Sequence, residues 1–175
     1  MDTQARLERI ESALRALTDK DEIWRLITRY ARAVDEEDDA DLAAIFSDDV
    51  LFQTIPWAKE PVHGRDRTVR AFKDYQGRFG NRRRFIVNEQ IDITGADTAT
   101  AWSSWLVLHA NDGKSFVGWG SYDWACIRTV DGWRFSKMII TVDCMTTLDK
   151  GWADAASLVG AYPQDRASGV ANGPG

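Results

Sequence analysis

The sequence predicts an α+β domain: helices first, then a strongly curved antiparallel sheet, together forming a cone-shaped barrel with a small-molecule pocket at its mouth. Three observations predict it. Apolar residues recur at helical spacing early in the chain, alternate at strand spacing from residue 84 onward, and are punctuated there by turn sequences at hairpin intervals. Helices grouped ahead of consecutive hairpins define α+β rather than alternating α/β. A bent sheet covered on its concave side by helices leaves a pocket at the open end.

Leu7, Ile10, Leu14 and Leu17 step by three and four, so residues 4–18 read as an amphipathic N-terminal helix. Asp19-Lys20-Asp21 interrupts it, and Asp21 is suited to cap a second helix carrying Ile23, Leu26, Ile27, Tyr30, Ala31 and Val34. The acids from Asp35 to Asp39 end that stripe, and Asp38 or Asp39 caps a short third helix holding Leu42, Ile45 and Phe46. After Asp48-Asp49, Val50-Leu51-Phe52 starts a strand, followed by a loop with Pro56, Pro61 and Gly64 and a helix over 65–77 through Val69, Phe72 and Tyr75. Strands are expected at 84–93, 98–110, 115–129 and 133–145. Gly95-Ala96-Asp97, Asn111-Asp112-Gly113 and Asp131-Gly132 join them as turns. Gly118 and Gly120 inside one long strand predict bulges and bending. Residues 1–160 are expected to form a single domain, with 161–175 a Gly/Ala/Pro-rich tail, mobile or draped on a partner.

A chain of 175 residues, 44% hydrophobic and 28% charged, suits one well-filled core. The net charge of −5 argues against nucleic acid or anionic membrane as a main partner, and Arg82-Arg83-Arg84 is too short a basic run to track phosphates. Met1-Asp2-Thr3-Gln4 opens without an apolar signal region, and no apolar run is long enough to span a bilayer. Cys126 and Cys144 lie in apolar strand-like runs, which suits a reduced, buried pair in the cytoplasm. Eight tryptophans suit either an ordinary core or a pocket for an aromatic ligand.

Only His63 and His109 are present, and neither has Cys or carboxylate neighbours at metal-ligand spacing. No glycine-rich nucleotide loop and no G-x-S-x-G elbow occurs. Acid–base chemistry by ordinary side chains, or plain binding, is therefore expected, with no metal and no cofactor. Tyr30 lies on the apolar stripe of its helix and Asp35 on the flank near the helix end, so a phenol and a carboxylate can emerge from the buried face. An exposed helix-end Asp fits the same pattern. Trp105, Val107 and His109 share one strand face, although His109 also adjoins a turn where it can be solvated. His63, in a proline-containing loop, is expected at the surface. Gly118, Gly120, Tyr122 and Trp124 share a face of the next strand, and Met138, Ile140, Val142 and Cys144 share an apolar face of the last. Either face can line a pocket or fill the core. Phe52, Trp105, Val107, Tyr122, Met138 and Ile140 are the candidate substrate-binding residues.

Tyr30-x4-Asp35, then Leu42-Ala-Ala-Ile-Phe-Ser-Asp-Asp-Val50, Gly64-Arg65-Asp66 opening a helix, and Asp131-Gly132-Trp133-Arg134-Phe135 occur in an order that resembles a known family. It is the SnoaL-like, scytalone dehydratase-like branch of the nuclear transport factor 2-like superfamily. The resemblance covers residues 20–145 and implies the same cone-shaped fold. Dehydratases and dehydrohalogenases of that family pair the helix Asp with a His in a segment resembling His-His-x-x-x-Asn. The matching segment is Arg83-Arg84-Phe85-Ile86-Val87-Asn88, so Arg84 stands where the histidine is usual. Arginine stays protonated and is a poor base, but it can bind an anion, polarise an oxygen or hold Asp35 ionised in an ion pair. The resemblance also places His109 where the family's second histidine falls.

Tyr30, Asp35, Arg84 and His109 are thus the candidate catalytic residues. Joined to composition, the resemblance implies a cofactor-independent lyase for a hydrophobic aromatic or phenolic compound, such as a lignin-derived diarylpropane. It would act as a dehydratase or a carbon–carbon lyase, releasing formaldehyde in the second case. An isomerase or polyketide cyclase, and a non-catalytic binding or small-subunit domain, are the alternatives. A homo-oligomer, dimer or trimer, is expected, with the apolar first helix and the tail as contact elements.

Overall fold

The computed structural model describes residues 2–153, so the expected tail at 161–175 lies outside the described residues. Helix α1 spans Thr3–Glu36, α2 Asp39–Ala44 and α3 Arg65–Arg78; strands β1 to β6 span Phe46–Ile55, Val62–His63, Gly80–Ile93, Thr98–Asn111, Lys114–Thr129 and Gly132–Thr147. In sheet order the strands run β2-β1-β6-β5-β4-β3. Every neighbouring pair is antiparallel except β1 with β6, which is parallel because the chain crosses from the first strand to the last through α3 and the meander. The result is an α+β fold of helices packed on a curled, open, mixed sheet, and the sequence-based fold class holds.

Strand β3 begins at Gly80 rather than residue 84, and α2 ends at Ala44, before the Ile45 and Phe46 it was expected to hold; two further differences have tertiary reasons. The expected break at Asp19-Lys20-Asp21 does not occur: α1 runs straight through it. Asp19 is buried and meets Arg128 Nη2 and the Trp133 indole N–H, both from the sheet, so its carboxylate is satisfied without capping anything. Asp21 instead pairs with Arg25 one turn on, at 2.8 Å. The helix ends only at Glu37, in the left-handed conformation with φ 61°. Asp38 then caps α2, accepting from the Asp41 N–H at 2.9 Å, as expected. The second difference is at β1, which begins at Phe46 rather than Val50 and carries Asp48 and Asp49 on its exposed side. The Phe135 N–H donates to the Ile45 carbonyl, so pairing with the last strand extends the strand backward.

Strand β3 is bulged between Gly80 and Arg83 and between Val87 and Gln90, and β6 is bulged twice. Trp119 pairs with Cys144 but Gly120 with Val142, leaving Asp143 as an extra residue; Ser136 is extra in the same way. One bulge therefore falls opposite Gly120 of β5 rather than in it, and the other falls opposite Ala125 and Cys126. Each bulge switches which face the next residue takes, so Phe135, Met138, Ile140, Val142 and Met145 all turn inward while Cys144 turns to the other face. Gly120 tolerates a close approach of the neighbouring strand: a Cβ there would sit 1.9 Å from the Thr141 carbonyl oxygen.

The core lies between the second half of α1, α3 and the concave face of the sheet, with Ile23, Ile27, Tyr30, Val34, Phe46, Phe135 and Met138 fully buried. The first half of α1 stands clear of it. Asp19→Ala is expected to destabilise the protein by about 2–3 kcal/mol, because it strands part of Arg128 and an indole N–H. Asp21→Ala should change stability by less than about 0.5 kcal/mol, since its ion pair is exposed. Urea unfolding of both variants measures the difference, and equal effects would contradict the account of why α1 is continuous.

Candidate active site

A cavity of about 510 Å³ opens between α3, the β1 end and the concave sheet. Period-two alternation on β4 brings Trp105, Val107 and His109 to its wall, joined by Arg84 from β3, Tyr122 from β5, and Ile140, Val142 and Met145 from β6. Helix α3 contributes Ala71, Phe72, Tyr75 and Arg78, while β1 and the loop after it contribute Phe52, Thr54, Trp57 and Ala58. Trp105 is fixed by its indole N–H, shared between the carbonyls of Ser121 at 3.2 Å and Thr141 at 3.1 Å.

The three consecutive arginines separate by strand alternation. Arg83 is exposed, whereas Arg82 and Arg84 turn inward. Arg82 is buried, and its two terminal nitrogens donate to Glu37 and to the Gln76 and Phe79 carbonyls. Arg84 borders the cavity. Its guanidinium stands 5.3 Å from the Tyr30 ring centroid and 5.5 Å from that of Tyr75. Its backbone N–H donates to Asp35 Oδ2 at 2.7 Å. Arg84 Nη1 and Asp35 Oδ1 are both buried without a hydrogen-bond partner. Burial pulls the Arg84 pKa down, but Tyr30, Tyr122, Tyr75 and Asp35 together carry it above its ordinary value, so the guanidinium stays charged.

Around this cation the phenols are neutral: burial raises the pKa of Tyr30, Tyr75 and Tyr122, and the charge on Arg84 offsets only part of that rise. Tyr30 and Tyr122 share a hydrogen bond of 3.1 Å between their hydroxyls. The Tyr75 hydroxyl is 3.2 Å from His109 Nδ1, and the Phe79 ring lies 4.2 Å from the imidazole. Burial, then the charges of Arg84 and Arg82, lower His109 from the usual 6.5 to about 4. His109 is therefore a neutral imidazole at physiological pH.

Of the residues singled out from sequence, Phe52, Arg84, Trp105, Val107, His109, Tyr122 and Ile140 border the cavity. Tyr30 does not; it is fully buried behind the wall, reaching the site through Tyr122 and Arg84. Asp35 is half-buried behind Arg84, bonded to its backbone rather than joined to its guanidinium by an ion pair. Met138 is fully buried in the core. His63 is exposed on β2, well described by its loop sequence. Sequence reasoning passed over Tyr75, Arg78 and Trp57. Tyr75 carried a usable signal, since it lies one turn from Phe72 on α3, but the same spacing marks any core helix. Among the described residues, no group of three or more His, Cys, Asp or Glu is placed to hold a metal ion. Cys126 and Cys144 are buried thiols. No described helix is long and apolar enough to cross a membrane.

A curled sheet covered by helices around an apolar cavity is the nuclear transport factor 2-like class of fold. Within that class the chain belongs to the SnoaL-like domain family, whose pattern matches residues 15–139. Solved structures agree. The hexachlorocyclohexane dehydrochlorinase LinA type 3 of Novosphingobium barchaimii LL02 is 19% identical over 78% of this chain and 94% of its own, with a TM-score of 0.71. A protein assigned as a scytalone dehydratase, from Novosphingobium aromaticivorans DSM 12444, is 20% identical over 84% of this chain and 97% of its own, with a TM-score of 0.69. A nuclear transport factor 2-like protein with a cystatin-like fold, from Novosphingobium aromaticivorans, is 23% identical over 86% and 94%, with a TM-score of 0.64. No curated protein matches the chain in sequence. At these identities the likeness is one of fold.

The depressed His109 pKa has a measurable consequence. Between 6.5 and about 4 the unfolded chain binds a proton that the folded chain refuses, so the stability contributed by neutral His109 is intact above 6.5 and lost as pH falls through that window. Wild type is expected to lose on the order of 2–3 kcal/mol more than His109→Gln between pH 7 and about 4. Urea melts at both pH values provide the test; parallel losses would mean the imidazole is not held neutral.

Proposed function

We propose that the protein is a cofactor-independent lyase that eliminates water or formaldehyde from a hydrophobic aromatic small molecule in this cavity. The observation that carries the reading is the presence, on one wall of a mostly apolar cavity, of a charged arginine and a neutral imidazole. Elimination needs one group to accept a proton and another to stabilise negative charge as a bond to oxygen breaks. His109 is the proton acceptor in this reading. In the dehydration, it takes the proton from the substrate C–H, the released electron pair forms the C=C bond, and the C–O bond breaks. The departing hydroxide takes a proton from a neutral phenol, Tyr122, and leaves as water. The proton on His109 then returns to the phenolate. In the formaldehyde-releasing case the imidazole takes the hydroxymethyl O–H proton, the C–O bond becomes the C=O of formaldehyde, and the C–C bond electrons form a C=C bond as hydroxide leaves the adjacent benzylic carbon; that hydroxide takes the Tyr122 proton and departs as water, and the proton on His109 returns to the phenolate.

Arg84 stabilises the developing negative charge in both cases. Asp35 is a positioning residue, fixing the strand at Arg84 through the backbone N–H. Tyr75 orients the imidazole through Nδ1. Phe52, Trp105, Val107 and Ile140 supply the apolar walls that hold an aryl group. Two of the structurally similar proteins carry dehydratase and dehydrochlorinase names, which are names of eliminations and support the same class.

Incubation with hydroxylated phenylpropanes and diarylpropanes, read by mass spectrometry, tests the reading. Loss of water or formaldehyde is expected. A product of unchanged mass would replace the lyase with the isomerase or cyclase reading, and no turnover across the set would leave a binding domain. Arg84→Ala should lower kcat/KM by at least about 10²-fold, and His109→Gln by about 10²–10⁴-fold, with unfolding midpoints retained at pH 7. Turnover should be flat above pH 6 and fall as pH drops through about 4, where His109 takes up its proton.

A further inference from the structure

We propose that the cavity selects an aryl compound bearing an anionic oxygen group, carboxylate or phenolate, which docks against Arg84. This deepens the lyase reading by naming its substrate class. Among the described residues the lining includes Arg78 and Arg84 and no Asp or Glu, in a chain whose net charge is −5. Other arginines drawn into the fold meet carboxylates: Arg82 meets Glu37, and Arg128 meets Asp19. Arg84 does not. Among the described residues no ion pair engages its guanidinium, its Nη1 is buried without a hydrogen-bond partner, and Asp35 is turned to its backbone.

A guanidinium withdrawn from water without a counter-ion is costly, and an anion delivered by a ligand offsets that cost. The neighbouring groups leave room for such an anion. Tyr75, Tyr122 and His109 are all uncharged, so each offers hydrogen bonds without competing for the cation. Exposed Arg78 on α3 adds a second positive charge at the cavity's edge, suited to attracting an anion on approach. Phe52, Trp57, Phe72 and Trp105 supply aromatic surface for the rest of the molecule.

Tryptophan fluorescence titration is suited to the test, because Trp57 and Trp105 border the cavity. The probes are 3-phenylpropanoate against 3-phenylpropanamide, and a nitrophenol measured on either side of its own ionisation. At least one anionic form is expected to bind about tenfold or more tightly than its neutral counterpart. The preference should vanish in Arg84→Met and survive in part in Arg84→Lys. A carboxylate preference alone assigns the carboxylate, and a phenolate preference alone assigns the phenolate. Equal affinity for anionic and neutral forms in the wild type overturns the inference, whether or not the variants fold. So does a preference that persists in folded Arg84→Met. Anion-selective binding without turnover of any compound would remove the lyase reading and leave this one. Turnover of neutral phenylpropanes with no anion preference would do the reverse.

We also infer that the first half of α1 pairs in parallel with the same segment of a second copy of the chain. Leu7, Ile10, Leu14 and Leu17 are 50%, 53%, 62% and 67% exposed on a helix that continues into the core. Their steps of three, four and three make Leu7 and Leu14 heptad a positions and Ile10 and Leu17 d positions. Arg6 and Glu11 then occupy g and e, which face each other across a parallel pair as opposite charges. An antiparallel pair would set Glu11 against Glu11 and Arg6 against Lys20. Anchoring of the following turns to the sheet keeps the short seam helical before it pairs.

Sedimentation equilibrium of the whole chain should show self-association that weakens at least about tenfold in Ile10→Ser/Leu14→Ser, with the folded spectrum kept. Arg6→Glu should weaken it and the combined Arg6→Glu/Glu11→Arg exchange should restore it. A monomeric wild type, or an assembly indifferent to the serine pair, overturns the inference. Failure of the charge exchange to restore association overturns the parallel arrangement.

Discussion

The site depends on a guanidinium that the fold draws inward without giving it a carboxylate of its own. Arg84 is held by its backbone, through Asp35, rather than by its charged end. That arrangement leaves the cation beside Tyr30, Tyr75, Tyr122 and His109, all of which it influences. Its field helps keep the imidazole neutral. The phenols stay protonated because burial outweighs the help that the cation gives to their ionised forms. One permanent charge surrounded by uncharged hydrogen-bonding groups is an environment that responds strongly to negative charge arriving or developing on a ligand.

The cavity exists because β6 does not keep a regular alternation. Two extra residues, Ser136 and Asp143, switch its inward face twice along the strand. Phe135 and Met138 are thereby committed to the core, and Val142 and Met145 to the cavity. Gly120 allows the adjoining strand to close onto Thr141, where any side chain would strike backbone. The Trp105 indole bonds to that same Thr141 carbonyl, so this close approach also fixes an aromatic wall. Bending, packing and ligand space arise from the same few residues.

Helix α1 joins two environments. Its second half is core, with Ile23, Ile27, Tyr30 and Val34 sealed from water, and its end delivers Asp35 to β3. Its first half carries apolar side chains into solvent. Asp19 marks the change, tying the helix to Arg128 and Trp133 where it enters the domain. A single continuous helix thus links an exposed apolar segment to the strand that holds Arg84.

The sequence by itself determined the fold class, the succession of hairpins, a helix cap at Asp38 or Asp39 and the shared face of β4 bearing Trp105, Val107 and His109. These follow from periodicity and turn chemistry, which act over a few residues and need no distant partner. It also singled out Arg84, because the segment resembled a family pattern with a histidine in that place. Tertiary structure decided what local rules could not. Asp19 is helical rather than a breaker because its partners come from β5 and β6, more than a hundred residues away. Cys144 and Met145 exchanged faces because a bulge opposite Gly120 shifted the register. Asp35 turned to a backbone amide, Tyr30 moved behind the wall and Tyr75 entered it. Each of these placements depends on where α1 and α3 settle against the sheet, a balance of packing across the whole core that no local pattern encodes.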